Sequence, residues 1–197
     1  MKKLPKQARA KARVQTILEV TQELLLINGI DGVTTTAISR KAEIPVGSVY
    51  QYFEDKEEIL NTLYTQAFND VRLVIEKTVQ ELNEDASLAE IVNTLLQTFW
   101  KQAWHHPSYR ALTRWANARL GFYDVTPSEE SDVTELMRLA FSATGVNFPE
   151  ERFDTILKLC TTVISMIIDI AIEQETEEEA QKLIDELEIM VLRYISN

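Results

Sequence analysis

The chain has 197 residues, of which 45% are hydrophobic and 26% charged, and it contains only five glycines and five prolines. This apolar content supports a sizeable core, and the shortage of turn-forming residues argues against a sheet-rich architecture, so we predict an all-α fold. A single cysteine excludes a disulfide framework within the chain and favours a small buried side chain in a cytoplasmic protein. We find neither a signal-peptide pattern nor an apolar run long enough to span a bilayer, so no membrane partner is expected.

The formal net charge of −11 is distributed unevenly along the chain. Residues 1–56 carry nine basic and six acidic groups, whereas residues 57–197 carry 11 basic and 25 acidic groups. The first eighteen residues alone hold six basic groups and no acidic one. Such an arm suits DNA phosphates, while the acidic remainder would be repelled by them. The alternative is a basic tail that only adds solubility.

Three short helical patterns precede residue 56. Apolar residues recur at helical spacing between Val14 and Leu25, and Asn28-Gly29 ends the pattern as a helix stop. Two pairs at i, i+4 spacing then mark a second and a third short helix around a tight break, Ile38 with Ala42 and Val49 with Phe53. A three-helix unit of this size is typical of the helix-turn-helix DNA-binding plan.

The same segment resembles the DNA-binding region of TetR-type transcriptional regulators. The matching runs are TTTAI at 34–38, GSVYQYF at 47–53 and KEEIL at 56–60. Two positions depart from the family pattern. Glu43 stands where the family commonly has glycine in the turn, and a positive φ would strain it. Pro45 replaces the usual serine or threonine and suits the first turn of a helix.

The resemblance implies that Tyr50 and Tyr52 contact phosphates, assisted by Lys56. Phosphate contacts set position, whereas contacts to base edges carry sequence information, so we predict Gln51 and Ser48 as base readers. The alternatives are helix packing for Tyr52 and a solvent-facing polar role for Gln51. The predicted DNA-binding residues are Thr34, Thr36, Pro45, Val46, Gly47, Ser48, Tyr50, Gln51, Tyr52 and Lys56.

The remaining chain is predicted to form a larger helical domain, 55–197, after a DNA-binding domain at 1–54, with about nine helices in total. Capping boxes begin helices at Asp55-Lys56-Glu57-Glu58, running to about residue 83, and at Ser87-Leu88-Ala89-Glu90, running to His106. Pro107 begins a helix to about residue 120, and Thr126 opens one that ends before Gly145. The last two helices are predicted from Pro149 to about Gln174 and from Thr176 onward.

Both C-terminal helices have apolar faces wider than one neighbour would cover. In TetR-type proteins the corresponding pair meets its symmetry mate as a four-helix bundle, so the resemblance implies a homodimer. The alternative is that both faces complete the core of a monomer. The predicted interface residues are Ile156, Cys160, Val163, Ile164, Ile167, Leu183, Leu187 and Met190.

Aromatic residues concentrate between Phe99 and Tyr123, a span that includes every tryptophan. This density predicts a pocket for a small-molecule effector, although each residue alone could be ordinary core. Asp169 lies within an apolar run, so we expect a partner for it: an arginine of this chain, the dimer mate or a cationic ligand. The predicted lining residues are Phe68, Trp100, Trp104, Tyr109, Arg114, Trp115, Asn117, Met137, Phe141 and Asp169.

These patterns favour a ligand-responsive regulator, most simply a repressor that binds a palindromic operator as a dimer and is released by an effector. An enzyme is not supported, because His105 and His106 stand alone and no metal-spaced set or phosphate loop occurs. No metal or other cofactor is expected. A helical carrier or interaction protein without sequence-specific DNA binding is the alternative.

Overall fold

A computed structural model describes residues 6–83, 85–119, 132–146 and 148–196 of the chain. These residues form α-helices joined by short turns, with no strand among them, which confirms the all-α prediction. The nine helices in the described ranges are α1 Lys6–Asn28, α2 Thr35–Lys41, α3 Val46–Val49, α4 Lys56–Gln80, α5 Leu88–His105, α6 Tyr109–Asn117, α7 Asp132–Ala143, α8 Glu150–Ile172 and α9 Glu177–Ile195.

The chain separates into two compact units. The first comprises the chain up to Phe68 together with Pro107–Trp115, and the second comprises Asn69–His106 together with the chain from Ala116 onward. The boundary between these two compact units, after Phe68, differs from the predicted boundary between the DNA-binding and the larger domain after residue 54. The predicted domain boundary stays a prediction. The continuous helix α4 contributes residues to both units.

The first unit is built around α1, α2 and α3. Its core contains the apolar residues that the helical spacing identified, including Ile17, Leu25, Ile38, Val49 and Phe53, all of them buried. Helix α1 ends at Asn28, because the next residue, Gly29, adopts a positive φ of 67°, which glycine accepts more readily than other residues. The predicted helix stop is therefore confirmed.

A one-turn 3₁₀ helix, Ile30–Gly32, joins α1 to α2. A Cβ atom at Gly32 would lie 2.2 Å from the Cβ of Asn28, so a side chain cannot fit there without moving the end of α1. The connection between α1 and α2 is consequently short and closely packed.

The caps confirm most of the predicted helix starts. At α5 the Ser87 hydroxyl accepts a hydrogen bond from the Glu90 amide, and the Glu90 carboxylate accepts one from the Ser87 amide. These two hydrogen bonds form the predicted capping box. At α4 the amide of Glu58 donates to Asp55 at 2.8 Å, but the Glu58 carboxylate accepts from the amide of Glu54 instead of Asp55. That helix ends at Gln80, three residues before the predicted end.

The second unit is a helical bundle in which α8 packs against α7 and α9, and α9 packs against α5. Thr176 caps α9 as predicted, and α7 ends at Ala143 before Gly145, whose φ is 64°. Pro149 occupies the N-cap position, immediately before the first residue of α8. Helix α8 ends at Ile172, two residues before the predicted end at about Gln174. The predicted helix start at Thr126 lies outside the described residues.

Among the described helices, α8 is long and apolar enough to cross a bilayer, with 23 residues and a mean hydropathy of 1.9 over its most apolar stretch. The prediction that no run reaches that length was therefore wrong. Of that stretch, 39% is buried within the protein, where α8 packs on two neighbouring helices. A core or subunit-interface helix meets the same criteria of length and composition.

Candidate nucleic-acid interface

The turn between α2 and α3 is held by one serine. Ser39 is buried, its hydroxyl donates to the carbonyl oxygen of Ile44 at 2.6 Å, and its own carbonyl accepts the Ile44 amide at 3.0 Å. Between them Glu43 adopts a φ of 52°. Glu43 therefore adopts the positive φ that strains a residue with a side chain, and the reciprocal Ser39–Ile44 pair holds it in place.

Helix α3 is shorter than the predicted recognition helix. Only Val46–Val49 is regular α-helix, and Pro45 caps it from outside instead of occupying its first position. The chain then continues in turns, because the amides of Tyr52 and Phe53 both donate to the carbonyl of Val49, at 3.0 and 3.1 Å. Val49 and Phe53 stay buried on the inner side of this segment.

The predicted contact residues lie on the opposite side of the same segment. Pro45, Gly47 and Gln51 are exposed, and Tyr50 is 53% exposed. Val46, Ser48 and Tyr52 are half-buried. The segment therefore buries its apolar side and exposes the backbone of Gly47, the amide of Gln51 and the phenol of Tyr50 to solvent.

The threonines at the start of α2 have different roles: one caps the helix and another is exposed to solvent. The Thr34 hydroxyl accepts the amide of Ala37 at 3.0 Å and so caps the helix, while Thr36 is exposed. Thr35, which the sequence did not single out, lies with its hydroxyl 3.3 Å from the Tyr50 hydroxyl. This pair brings donor groups of α2 and the α3 segment together. The run of three threonines was the available signal, but only the fold selects which one faces Tyr50.

Gly47 has no steric role inside the chain. A Cβ built on it meets no atom within 4 Å, and its φ is not positive. Neither a tight turn nor close packing therefore requires glycine at this exposed helical position. If glycine is needed here, the requirement comes from something outside the chain.

Two lysines of this unit are engaged by the protein itself. Lys41 pairs with Glu23 at 2.9 Å. Lys56 is half-buried and donates to the carbonyl oxygen of Ile30 at 3.0 Å. The predicted phosphate anchor Lys56 is therefore already bound to the backbone.

The predicted effector-lining residues are divided between the two units. In the first unit, Phe68 and Tyr109 are buried in the core, with the Tyr109 ring 5.8 Å from that of Tyr64, and Arg114 and Trp115 are half-buried. The second unit holds Trp100, Trp104, Asn117, Met137, Phe141 and Asp169.

Trp100 is the most informative of these side chains. It is 1% exposed, and its ring centroid lies 5.1 Å from that of Trp104 at a tilt of 45°. Its indole nitrogen is buried without an acceptor among the residues that the structure describes. A buried N–H without a partner carries a desolvation cost, which an acceptor on a bound molecule would offset.

Asp169 is half-buried on α8 without a donor among the described side chains. Of the three partners considered, an arginine of the same chain is therefore not found among those residues, and the dimer mate and a cationic ligand are not tested. Burial raises the pKa of Asp169 to about 6, and the charge of Glu173 adds to the rise. In an unfolded chain the pKa returns to the usual value of 3.8. The contribution of Asp169 to the free energy of unfolding is therefore most favourable below pH 4. It is lost as the pH rises through about 6, because the buried carboxyl then ionises.

We accordingly expect Asp169→Asn to raise the free energy of unfolding at pH 7.5, by on the order of 1 to 3 kcal/mol. The gain should nearly disappear at pH 4, where the native carboxyl is protonated. Urea unfolding at both pH values measures it, with the exposed Asp154→Asn on the same helix as control. An equal gain at both pH values, or a loss at pH 7.5, would contradict this assignment.

The predicted dimer-interface residues fall into two groups. Ile156, Cys160 and Leu187 are buried within the subunit, at 4%, 4% and 2% exposure, so they belong to its core and have little surface left for a partner. Val163, Ile164, Ile167 and Leu183 are half-buried, and Met190 is 44% exposed. The periodicity could not separate the two groups because α8 and α9 are apolar on several sides. Exposed apolar residues that the sequence did not select are Leu159, Ile170, Ile189 and Tyr194.

The two histidines each lie beside a carboxylate, and the cysteine is buried. No cluster of three or more His, Cys, Asp or Glu side chains that could hold a metal occurs among those residues. His105 lies 3.1 Å from Glu177, and His106, which caps α5, lies 3.4 Å from Asp70. Burial raises the pKa of Cys160 to about 11, so its thiol stays protonated at neutral pH.

Family models match both halves of the chain. The model of bacterial regulatory proteins of the tetR family matches residues 17–63, and the tetracyclin repressor-like C-terminal domain matches residues 87–195. The HTH-type transcriptional regulator BetI of Burkholderia mallei is 24% identical over 132 residues, which is 59% of this chain and 68% of that protein.

Solved structures share the fold along nearly the whole chain. A TetR-family regulator from Pectobacterium atrosepticum has a TM-score of 0.70 at 13% identity, covering 95% of this chain and 96% of that one. RolR in complex with resorcinol has a TM-score of 0.62 at 16% identity, covering 94% and 90%. With the helix-turn-helix geometry and the two family matches, the chain belongs to the TetR family and is a DNA-binding transcriptional regulator.

Proposed function

We propose that this regulator is a cytoplasmic repressor that binds a palindromic operator as a homodimer and is released by a small-molecule effector. The observation that carries the proposal is the surface of the α3 segment. Gly47, Tyr50 and Gln51 are exposed there, while Val49 and Phe53 anchor the same segment in the core. Side chains held this way are positioned for a groove without further ordering.

Phosphate contacts and base contacts divide by side-chain chemistry. We assign phosphate contacts to Tyr50, Tyr52 and Thr36, and we add Thr35 because its hydroxyl lies beside that of Tyr50. Gln51 and Ser48 are the base readers, since an amide pairs in two places with adenine and a hydroxyl is permissive. Val46 packs on a thymine methyl group, and Gly47 admits the close approach of the duplex.

The homodimer is supported by uncovered apolar surface on α8 and α9. Leu159, Ile170, Met190 and Tyr194 are 40 to 45% exposed, and the two helices pack against each other. On a soluble regulator such residues on adjacent helices favour burial against a second copy. Dimer symmetry then implies an inverted-repeat operator with two equivalent half-sites.

The effector proposal rests on Trp100 and on one relative. The indole N–H of Trp100 is buried without an acceptor in the described residues, and its ring lies tilted beside that of Trp104. This arrangement suits an aromatic or otherwise planar molecule that carries an acceptor atom. RolR, whose fold is similar, was solved with resorcinol. Effector and DNA then weaken each other's binding by the same factor, typically corresponding to about 1 to 3 kcal/mol.

A retardation assay with duplexes selected from a random pool, repeated at several salt concentrations, tests this function. We expect an inverted repeat to be enriched, two subunits to bind it, and affinity to fall steeply with salt. A carrier protein would show no sequence preference. A footprint of one subunit on an asymmetric site would contradict the dimer.

Gln51→Ala should change base preference more than it changes overall affinity. We expect discrimination at one position of each half-site to fall by about 1 to 3 kcal/mol, while binding to unrelated duplex stays within about twofold. Repeating the selection with the variant measures this, and Gln66→Ala, at an exposed site on α4, is the matched control. If the variant selects the same sequence as the wild type, Gln51 does not contact a base edge and its assignment is wrong.

A further inference from the structure

We propose that helix α9 meets the same helix of a second copy in antiparallel orientation, so that Glu186 of each copy lies opposite Arg193 of the other. This register rests on the proposed homodimer, and it names the pair of charges that aligns the two subunits. An open groove along α9 carries the inference, and its lining residues are Glu186, Ile189, Met190, Arg193 and Tyr194.

The groove combines exposed apolar side chains with two opposite charges. Ile189 and Met190 are each 44% exposed and Tyr194 is 40% exposed, and Glu186 and Arg193 are exposed as well. Seven residues separate the two charges, which is close to two helical turns, so both lie on one side of α9, about 10.5 Å apart along its axis. An apolar centre with charges toward its ends is typical of a subunit contact.

Two-fold symmetry makes this groove complementary to itself. In an isologous contact the same surface serves both subunits, so a pair formed between residue i and residue j occurs twice. If Glu186 lies opposite Arg193 in an antiparallel pair, the two-fold axis passes between Ile189 and Met190. Each dimer then gains two equivalent ion pairs, while apolar side chains meet apolar side chains at the centre.

Other arrangements of the same helix bring like charges together. A parallel pair would set Glu186 against Glu186 and Arg193 against Arg193. An antiparallel pair centred on Glu186 would place Arg193 opposite Glu179, but the two Glu186 carboxylates would then meet at the axis. Like charges placed face to face disfavour a contact. Charge therefore selects one register among those that apolar contact alone would allow.

Reversing the two charges in the full-length protein tests this register. Glu186→Arg alone and Arg193→Glu alone each replace two attractive pairs with two repulsive ones, so each variant should dimerise about ten- to a hundredfold more weakly at low salt. Mixed in equal amounts, the two variants should form a heterodimer, because each arginine of one then faces a glutamate of the other. Native mass spectrometry should find more than about four fifths of the dimers mixed, against about half for random assortment.

Two controls make the result specific to α9. Glu81→Arg and Lys77→Glu reverse the charges of an ion pair on α4 whose side chains are 66% and 72% exposed, and a mixture of these variants should assort at random. The double variant Glu186→Arg/Arg193→Glu restores both pairs with their signs exchanged, so it should dimerise within about threefold of the wild type.

The wild-type oligomeric state separates failure of the register from failure of the dimer. If the wild type is dimeric but the single variants dimerise equally well, or their mixture assorts at random, the register is wrong and the homodimer stands. A wild type that is monomeric at micromolar concentration would remove the homodimer, and this register with it. Circular dichroism establishes that each variant is folded, as the exposure of both residues leads us to expect.

Discussion

Placing a carboxylate at Met190 should convert the protein to a monomer and reduce operator affinity by a hundredfold or more. Met190 is 44% exposed in the single subunit, so glutamate is tolerated by its fold. In the proposed symmetric dimer the same position would be buried, and symmetry would introduce the charge twice. An unpaired buried carboxylate costs several kcal/mol, which exceeds what one buried methionine contributes.

Size-exclusion chromatography with light scattering at micromolar concentration measures the oligomeric state, and retardation measures affinity. Leu73→Glu is the control, because Leu73 is 57% exposed and belongs to α4 instead of α8 or α9. It should remain dimeric. A Met190→Glu protein that stays dimeric with wild-type affinity would contradict the proposed interface.

Adding one methyl group at Gly47 should stabilise the fold and impair DNA binding at the same time. The site is exposed, helical and open, since a Cβ there meets no atom within 4 Å. Alanine is favoured over glycine in helices by about 0.5 to 1 kcal/mol, so Gly47→Ala should unfold at a higher urea concentration. If the duplex approaches this backbone closely, the methyl group clashes with it in both half-sites.

We expect about a tenfold loss of affinity for each half-site with Gly47→Ala, hence about a hundredfold for the dimer, and a larger loss with Gly47→Val. Urea unfolding and retardation are measured on the same preparations. Ser142→Ala, at an exposed helical site on α7, should change affinity by less than twofold. Wild-type affinity of Gly47→Ala would place the duplex elsewhere on the protein.

Local chemistry explains why helix ends were predictable. The stop at Gly29, the box of Ser87 and Glu90, and the cap at Thr176 each depend on residues within a few positions of one another. Helix-turn-helix spacing also predicted a tight turn around Glu43, whereas its positive φ of 52° came from the structure. The short α3 was not predicted, because Val49 and Phe53 are both buried as helical spacing requires although only Val46–Val49 is regular helix.

Residue types and their order along the chain determined the helical class, the DNA-binding motif and the candidate readers, because helical periodicity and capping act over a few residues. Only the tertiary structure decided that Lys56 points to the Ile30 carbonyl, that Thr35 meets Tyr50, and that Ile156, Cys160 and Leu187 belong to the core. Those outcomes depend on contacts between segments distant in sequence. The sequence around an apolar or charged side chain is the same whether a neighbouring helix of the same chain or a partner molecule covers that side chain.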